Sequence, residues 1–177
     1  MANKYRFRCV GFFDLLIMQY EKLRIAHDGV PFKSEHMTMN ASIIMDPVYS
    51  FFIYCHHIED RIIKDDLIDS SVKKKAASFA ENTKCLKHCA VIANRIKHLK
   101  IPNTRRKSLP KFINVERKII SDKPIDATKI DSPEYRDVIV KDFVYIETDE
   151  GIIEVFDLAT QCVEAWRRFI EDNISKL

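Results

Sequence analysis

The chain has 177 residues, with 46% hydrophobic and 31% charged residues and a formal charge of +3. That length fills one hydrophobic core, so a single domain spanning 1–177 is expected, and the composition excludes a disordered chain. Only three glycines occur, Gly11, Gly29 and Gly151, too few for a turn-rich β fold or a glycine-lined phosphate cradle.

In chain order, Phe13, Leu16, Ile17, Tyr20 and Leu23 recur at helical spacing until Gly29 and Pro31, which predicts a first helix over about 8–26. The apolar run from Val10 to Tyr20 contains Asp14 and is too short to cross a bilayer, so no membrane is expected and the protein is read as cytoplasmic. Asp46 and Pro47 read as N-cap and first residue of a second helix over about 47–66, with an apolar stripe of Val48, Phe51, Phe52, Cys55, Ile58 and Ile62, while Asn40 to Met45 are compatible with a preceding helical turn kinked at Pro47. Ser70 or Ser71 would cap a third helical region over about 71–100, with a break near Asn82 and Thr83 and a stop at Ile101-Pro102-Asn103.

Beyond that stop the residues turn β-branched and aromatic and partly alternate, predicting strands over about 112–121, 137–148 and 152–156. Pro124 and Pro133 mark a loop between the first two, and Thr148-Asp149-Glu150-Gly151 suits a hairpin turn. Asp157 resembles the N-cap of a final amphipathic helix over about 157–175, carrying Leu158, Cys162, Ala165, Trp166, Phe169 and Ile170. The fold class is therefore mainly α: an antiparallel helical bundle with a small antiparallel β-meander inserted before the C-terminal helix.

Four groups of residues carry potential chemistry. His57 and Asp60, three apart on one helix face, form a supporting polar pair in which the carboxylate would fix the imidazole tautomer. Asn94 and His98, four apart, share a face near Lys97, so an amide, an imidazole and an ammonium can converge. Lys97, Lys100, Arg105, Arg106, Lys107 and Lys111 form a basic run able to track a nucleic-acid backbone, with no aromatic interleaved before Phe112. Cys55 and His56, with Cys85, His88 and Cys89, have metal-ligand chemistry but no paired CxxC or HExxH spacing. Cys55 and Cys89 lie in apolar stripes and read as core thiols, so neither a metal nor another cofactor is expected. Five cysteines at irregular spacing read as reduced thiols.

The His-x-x-Asp on an early helix, Ala93-Asn94-Arg95-Ile96-Lys97-His98 and Trp166 in the closing helix resemble bacterial and phage-borne helical proteins, and are similar to the HEPN superfamily. Its motif is an Arg, usually followed by a polar residue, then a His five positions after the Arg. Asn94 and His98 match the last two elements, but Ala93 stands at the Arg position, and Arg95 lies about 200° further around the helix. Active members of the family pair Arg and His from two protomers on an RNA 2′-hydroxyl without a metal. The resemblance thus implies a non-enzymatic or catalytically degenerate protein binding a partner protein, a second copy of itself or RNA in a defence-related setting. A metal-independent ribonuclease using His98 with Asn94 and Lys97 is its alternative.

Overall fold

Most helices here are amphipathic, and each is placed by the stripe it must bury. The computed structural model describes residues 8–31, 42–97, 111–122, 124, 126 and 137–174. Helix α1 (Arg8–Asp28) buries Cys9, Leu16 and Leu23, one side chain every second turn along a single line. Its first turn is held from a distance, because the buried carboxylate of Asp65 accepts the Arg8 backbone N–H at 2.7 Å and that of Leu67 at 3.1 Å. These donors have no intrahelical partner, so the carboxylate supplies one.

Helix α2 (Ser42–Ile63) buries the expected stripe from Val48 to Ile62. It starts earlier than expected: Asp46 and Pro47 are not its beginning, and Pro47 lies within the helix. The proline removes one ladder bond, to the Ile43 carbonyl, about a turn from the end, where the loss is small beside the packing gained.

The expected third helix is two helices, α3 (Ser70–Asn82) and α4 (Lys84–Lys97), broken at Thr83. Thr83 is extended (φ −89°, ψ 116°), donates its N–H to the Phe79 carbonyl, and accepts from Lys87 N–H. One residue thus closes α3 and opens α4. The cap of α3 is Asp69, whose carboxylate accepts from Ser71 N–H at 2.7 Å, not Ser70 or Ser71. An ionised acceptor at a helix start outcompetes a hydroxyl by its charge. The expected stop at Ile101-Pro102-Asn103 and the loop residue Pro133 lie outside the described residues.

The sheet is built around one strand. Strand β3 (Ile139–Thr148) pairs antiparallel with β2 (Lys111–Ile120), from Lys111 opposite Glu147 to Ile120 opposite Ile139, with an irregularity at Phe112/Asn114. On its other side β3 pairs with β4 (Gly151–Glu154) and with β1 (Val30–Pro31), a strand of two residues not expected from sequence. Gly29, at φ +109°, turns the end of α1 into β1, and a side chain there would press on Ile139 and Lys141.

Helix α5 (Val155–Asn173) begins before Asp157. Its N-cap is Glu154, which accepts from the N–H groups of Phe156 at 2.9 Å and Asp157 at 3.2 Å. From Val155 to Ile170 it buries eight side chains, Trp166 and Cys162 among them. Helix α5 packs on α1, α2, α4 and the sheet. The architecture is mainly α, with a small antiparallel sheet leading into the last helix. Among the described residues no helix is long and apolar enough to cross a membrane.

Candidate functional site

Helices α2, α4 and α5 each bury a stripe against the other two, and at their junction each stripe carries a cysteine. The sulfur atoms of Cys55, Cys89 and Cys162 all lie within 4.8 Å of one another, and each residue is at most 1% exposed. As thiols, Cys89 donates to the Phe52 carbonyl at 3.5 Å and Cys162 to the Cys85 carbonyl at 3.4 Å. All five cysteines are buried and free of disulfides, as reduced thiols would be.

The three sulfurs do not titrate alike. Burial raises Cys55, but the nearby polar hydrogens of Cys162, Cys89 and Trp166, which would turn towards a thiolate there, outweigh it and draw its pKa down. Cys89 and Cys162 go well up, by burial first and then by their role around Cys55. Cys85 is also lowered, first by a hydrogen bond with Cys162. The Trp166 indole N–H makes no full hydrogen bond among the described residues, yet it lies close enough to Cys55 to favour its thiolate. A buried donor left without a partner is costly.

A groove of about 520 Å³ between α2 and α4 leads to this cluster, with Cys55, Cys89 and Trp166 in its lining. Its rim carries His56 and Glu59 of α2, Glu81 of α3, and Lys87 and Asn94 of α4. His56 is half-buried, and burial, then the charges of Lys97 and His57, lower its pKa, so it is neutral at pH 7. Glu59 is raised by burial and then by Asp60 and Glu81, a crowding of negative charge on one edge.

The sequence-nominated residues are dispersed around this centre. His57 and Asp60 do meet, Nδ1 to Oδ2 at 3.3 Å, but on an exposed face where Asp60 also lies 3.9 Å from Lys64. Asn94 and Lys97 are exposed; Asn94 reaches the groove rim and Lys97 acts on His56. His98, Lys100, Arg105, Arg106 and Lys107 lie outside the described residues, and Lys111 is exposed at the start of β2. Ala93, beside Asn94 on α4, is 0% exposed.

Cys162 is the residue that local pattern did not flag. It lies 73 positions from Cys89 and reads as one more apolar residue of α5; the available signal was that several core-facing helical stripes each hold a cysteine. No family model, curated protein or solved structure matches the chain.

Proposed function

We propose that the chain is a non-enzymatic helical binding protein, a catalytically degenerate relative of the HEPN bundles it resembles, whose groove between α2 and α4 accepts a basic, apolar segment of a partner protein. The observation that carries this reading is the make-up of the groove. Its lining offers the half-buried Ala80, Ala90 and Val91 to an apolar side chain, and Glu59 and Glu81 gather negative charge at the edge. A flanking Lys or Arg would relieve that crowding, whereas an RNA phosphate would add to it.

The degenerate reading is supported by Ala93. An arginine at this core position would have to bury its guanidinium, which is costly without a partner, and the exposed Arg95 points about 200° away around the helix. Binding is tested with labelled peptides carrying one apolar anchor flanked by Lys/Arg or by Asp/Glu, alongside a mixed RNA pool, by fluorescence anisotropy. The basic-flanked peptides should bind, should weaken with added salt, and should lose affinity to the Glu59→Lys/Glu81→Lys variant. Preference for RNA over every peptide would overturn the proposal. Cleavage of the RNA in the presence of chelator, lost in His98→Ala, would establish the ribonuclease instead.

A further inference from the structure

Buried cysteines ordinarily pack as small apolar residues, and Cys9, enclosed at the start of α1, does so. The other four gather at one junction. Cys55, Cys89 and Cys162 bring their sulfurs within 4.8 Å of one another from three different helices. Cys85, one turn before Cys89 on α4, is joined to Cys162 through both its carbonyl and its side chain.

The spacing suits an ion. A metal–sulfur bond of about 2.3 Å sets sulfurs about 3.8 Å apart around a tetrahedral centre. From a limit of 4.8 Å the trio needs to contract by about 1 Å or less, within reach of χ1 adjustment. An all-sulfur donor set selects a soft cation, and three thiolates suit cuprous ion while four complete a structural zinc site.

Two further observations point the same way. The groove supplies a path, since it is lined by Cys55 and Cys89 and rimmed by Glu59, whose carboxylate attracts cations, and by His56. The Trp166 N–H, fully buried and short of an acceptor, is the kind of donor that supports a metal-bound thiolate from the outer shell.

We infer that Cys55, Cys89 and Cys162 bind one soft d10 cation, zinc or cuprous ion, with Cys85 as the fourth ligand when the ion is zinc. On binding, each ligating thiol releases its proton to solvent and forms a sulfur–metal bond; no oxidation state changes. The site would tie α2, α4 and α5 together through a single atom.

The test uses the purified, fully reduced chain, titrated separately with cobaltous ion as the spectroscopic stand-in for zinc and with cuprous ion under anaerobic conditions. Each titration is read by absorbance and by metal analysis after desalting. The expected result is one ion per chain with thiolate-to-metal charge-transfer bands, unchanged in Cys9→Ser and weakened at least tenfold in Cys55→Ser, Cys89→Ser and Cys162→Ser. Cys85→Ala separates the two ions: it should abolish the tetrahedral cobalt spectrum and leave cuprous binding intact if three thiols suffice. Circular dichroism of each variant identifies any that fail to fold. The wild-type chain decides the matter in that case, because metal should then protect Cys55, Cys89 and Cys162 together from alkylation, mapped by mass spectrometry. A folded wild-type chain that takes up neither ion, or a Cys55→Ser variant that retains full stoichiometry and affinity, would overturn the site.

Discussion

Asp65 caps a helix that begins 57 residues before it: its carboxylate accepts the Arg8 N–H at 2.7 Å while only 2% exposed, and holds Leu67 N–H with the other oxygen. The turn after α2 is thereby fastened to the first turn of α1, which packs along α2. Two donors lose their acceptor in Asp65→Ala, so unfolding in urea should show a loss of about 1–3 kcal/mol. Asp65→Asn, which keeps an acceptor without the charge, should lose less. Equal stability of Asp65→Ala and wild type would mean that the contact contributes nothing.

A second cap separates two neighbouring residues. Glu154, half-buried between β4 and α5, accepts from Phe156 and Asp157, whereas Asp157 lies inside the first turn. Glu154→Ala should cost about 0.5–2 kcal/mol, and Asp157→Ala only a few tenths through the lost dipole interaction. Thermal melts of both variants check the order. The reverse order would restore Asp157 as the cap.

These two caps mark where the sequence was legible. The stripes of α2 and α5 and the alternation of β3 are local repeats, and they emerged with the right residues inward. The boundaries did not, because a cap depends on which carboxylate geometry brings to the free N–H groups. Asp69 and Glu154 took that role ahead of the better-looking Ser70, Ser71 and Asp157. Strand β1 has two residues, too few to alternate, and exists through its pairing with Val140 and Ile139. The thiol cluster was half-legible: Cys55 and Cys89 were visible as inward-facing, but the relative axial positions of α2, α4 and α5 decide that they meet Cys162.

Histidine burial sets the acid side of the stability profile. His56 and His88 have their pKa values lowered, both chiefly by burial. In the unfolded chain each takes up a proton near its ordinary value of about 6.5, while the folded chain resists until lower pH. The unfolded state then binds more protons, so stability should be full above about pH 7 and fall as the pH drops through 6.5 and below. Urea midpoints at pH 7.5 and pH 5 measure the fall, and the His56→Gln/His88→Gln variant should show a smaller one. An unchanged slope in that variant would place the acid sensitivity elsewhere.

Cys9 gives the alkaline counterpart. Burial, and then the nearby Asp65 charge, push its thiol up to about 12. The unfolded thiol ionises near its ordinary value of about 8.5, so between these values the folded state holds a proton the unfolded state has lost. Stability should therefore decline as pH rises above about 9, and Cys9→Ala, although it loses packing at neutral pH, should decline less steeply. Parallel slopes for the two proteins would show that Cys9 stays protonated in neither state or in both.

Trp166 connects the core to the proposed ion. Its ring is 1% exposed and packs edge-on against Phe79 and Phe169, at centroid distances of 5.7 and 5.8 Å, while its N–H lacks a full partner. Trp166→Phe keeps an aromatic ring there but removes both volume and the donor. The volume lost costs on the order of 1 kcal/mol as a residual cavity. Removing an unsatisfied donor returns about 1–3 kcal/mol. The metal-free variant should thus be within about 1 to 2 kcal/mol of wild type, and no less stable if the donor effect dominates. With metal the balance changes, because a thiolate on a bound cation gives the N–H an acceptor worth keeping. Competition against a chelator of known affinity should show binding to Trp166→Phe weakened by about 10- to 100-fold. A variant that binds metal as tightly as wild type would assign Trp166 to packing alone.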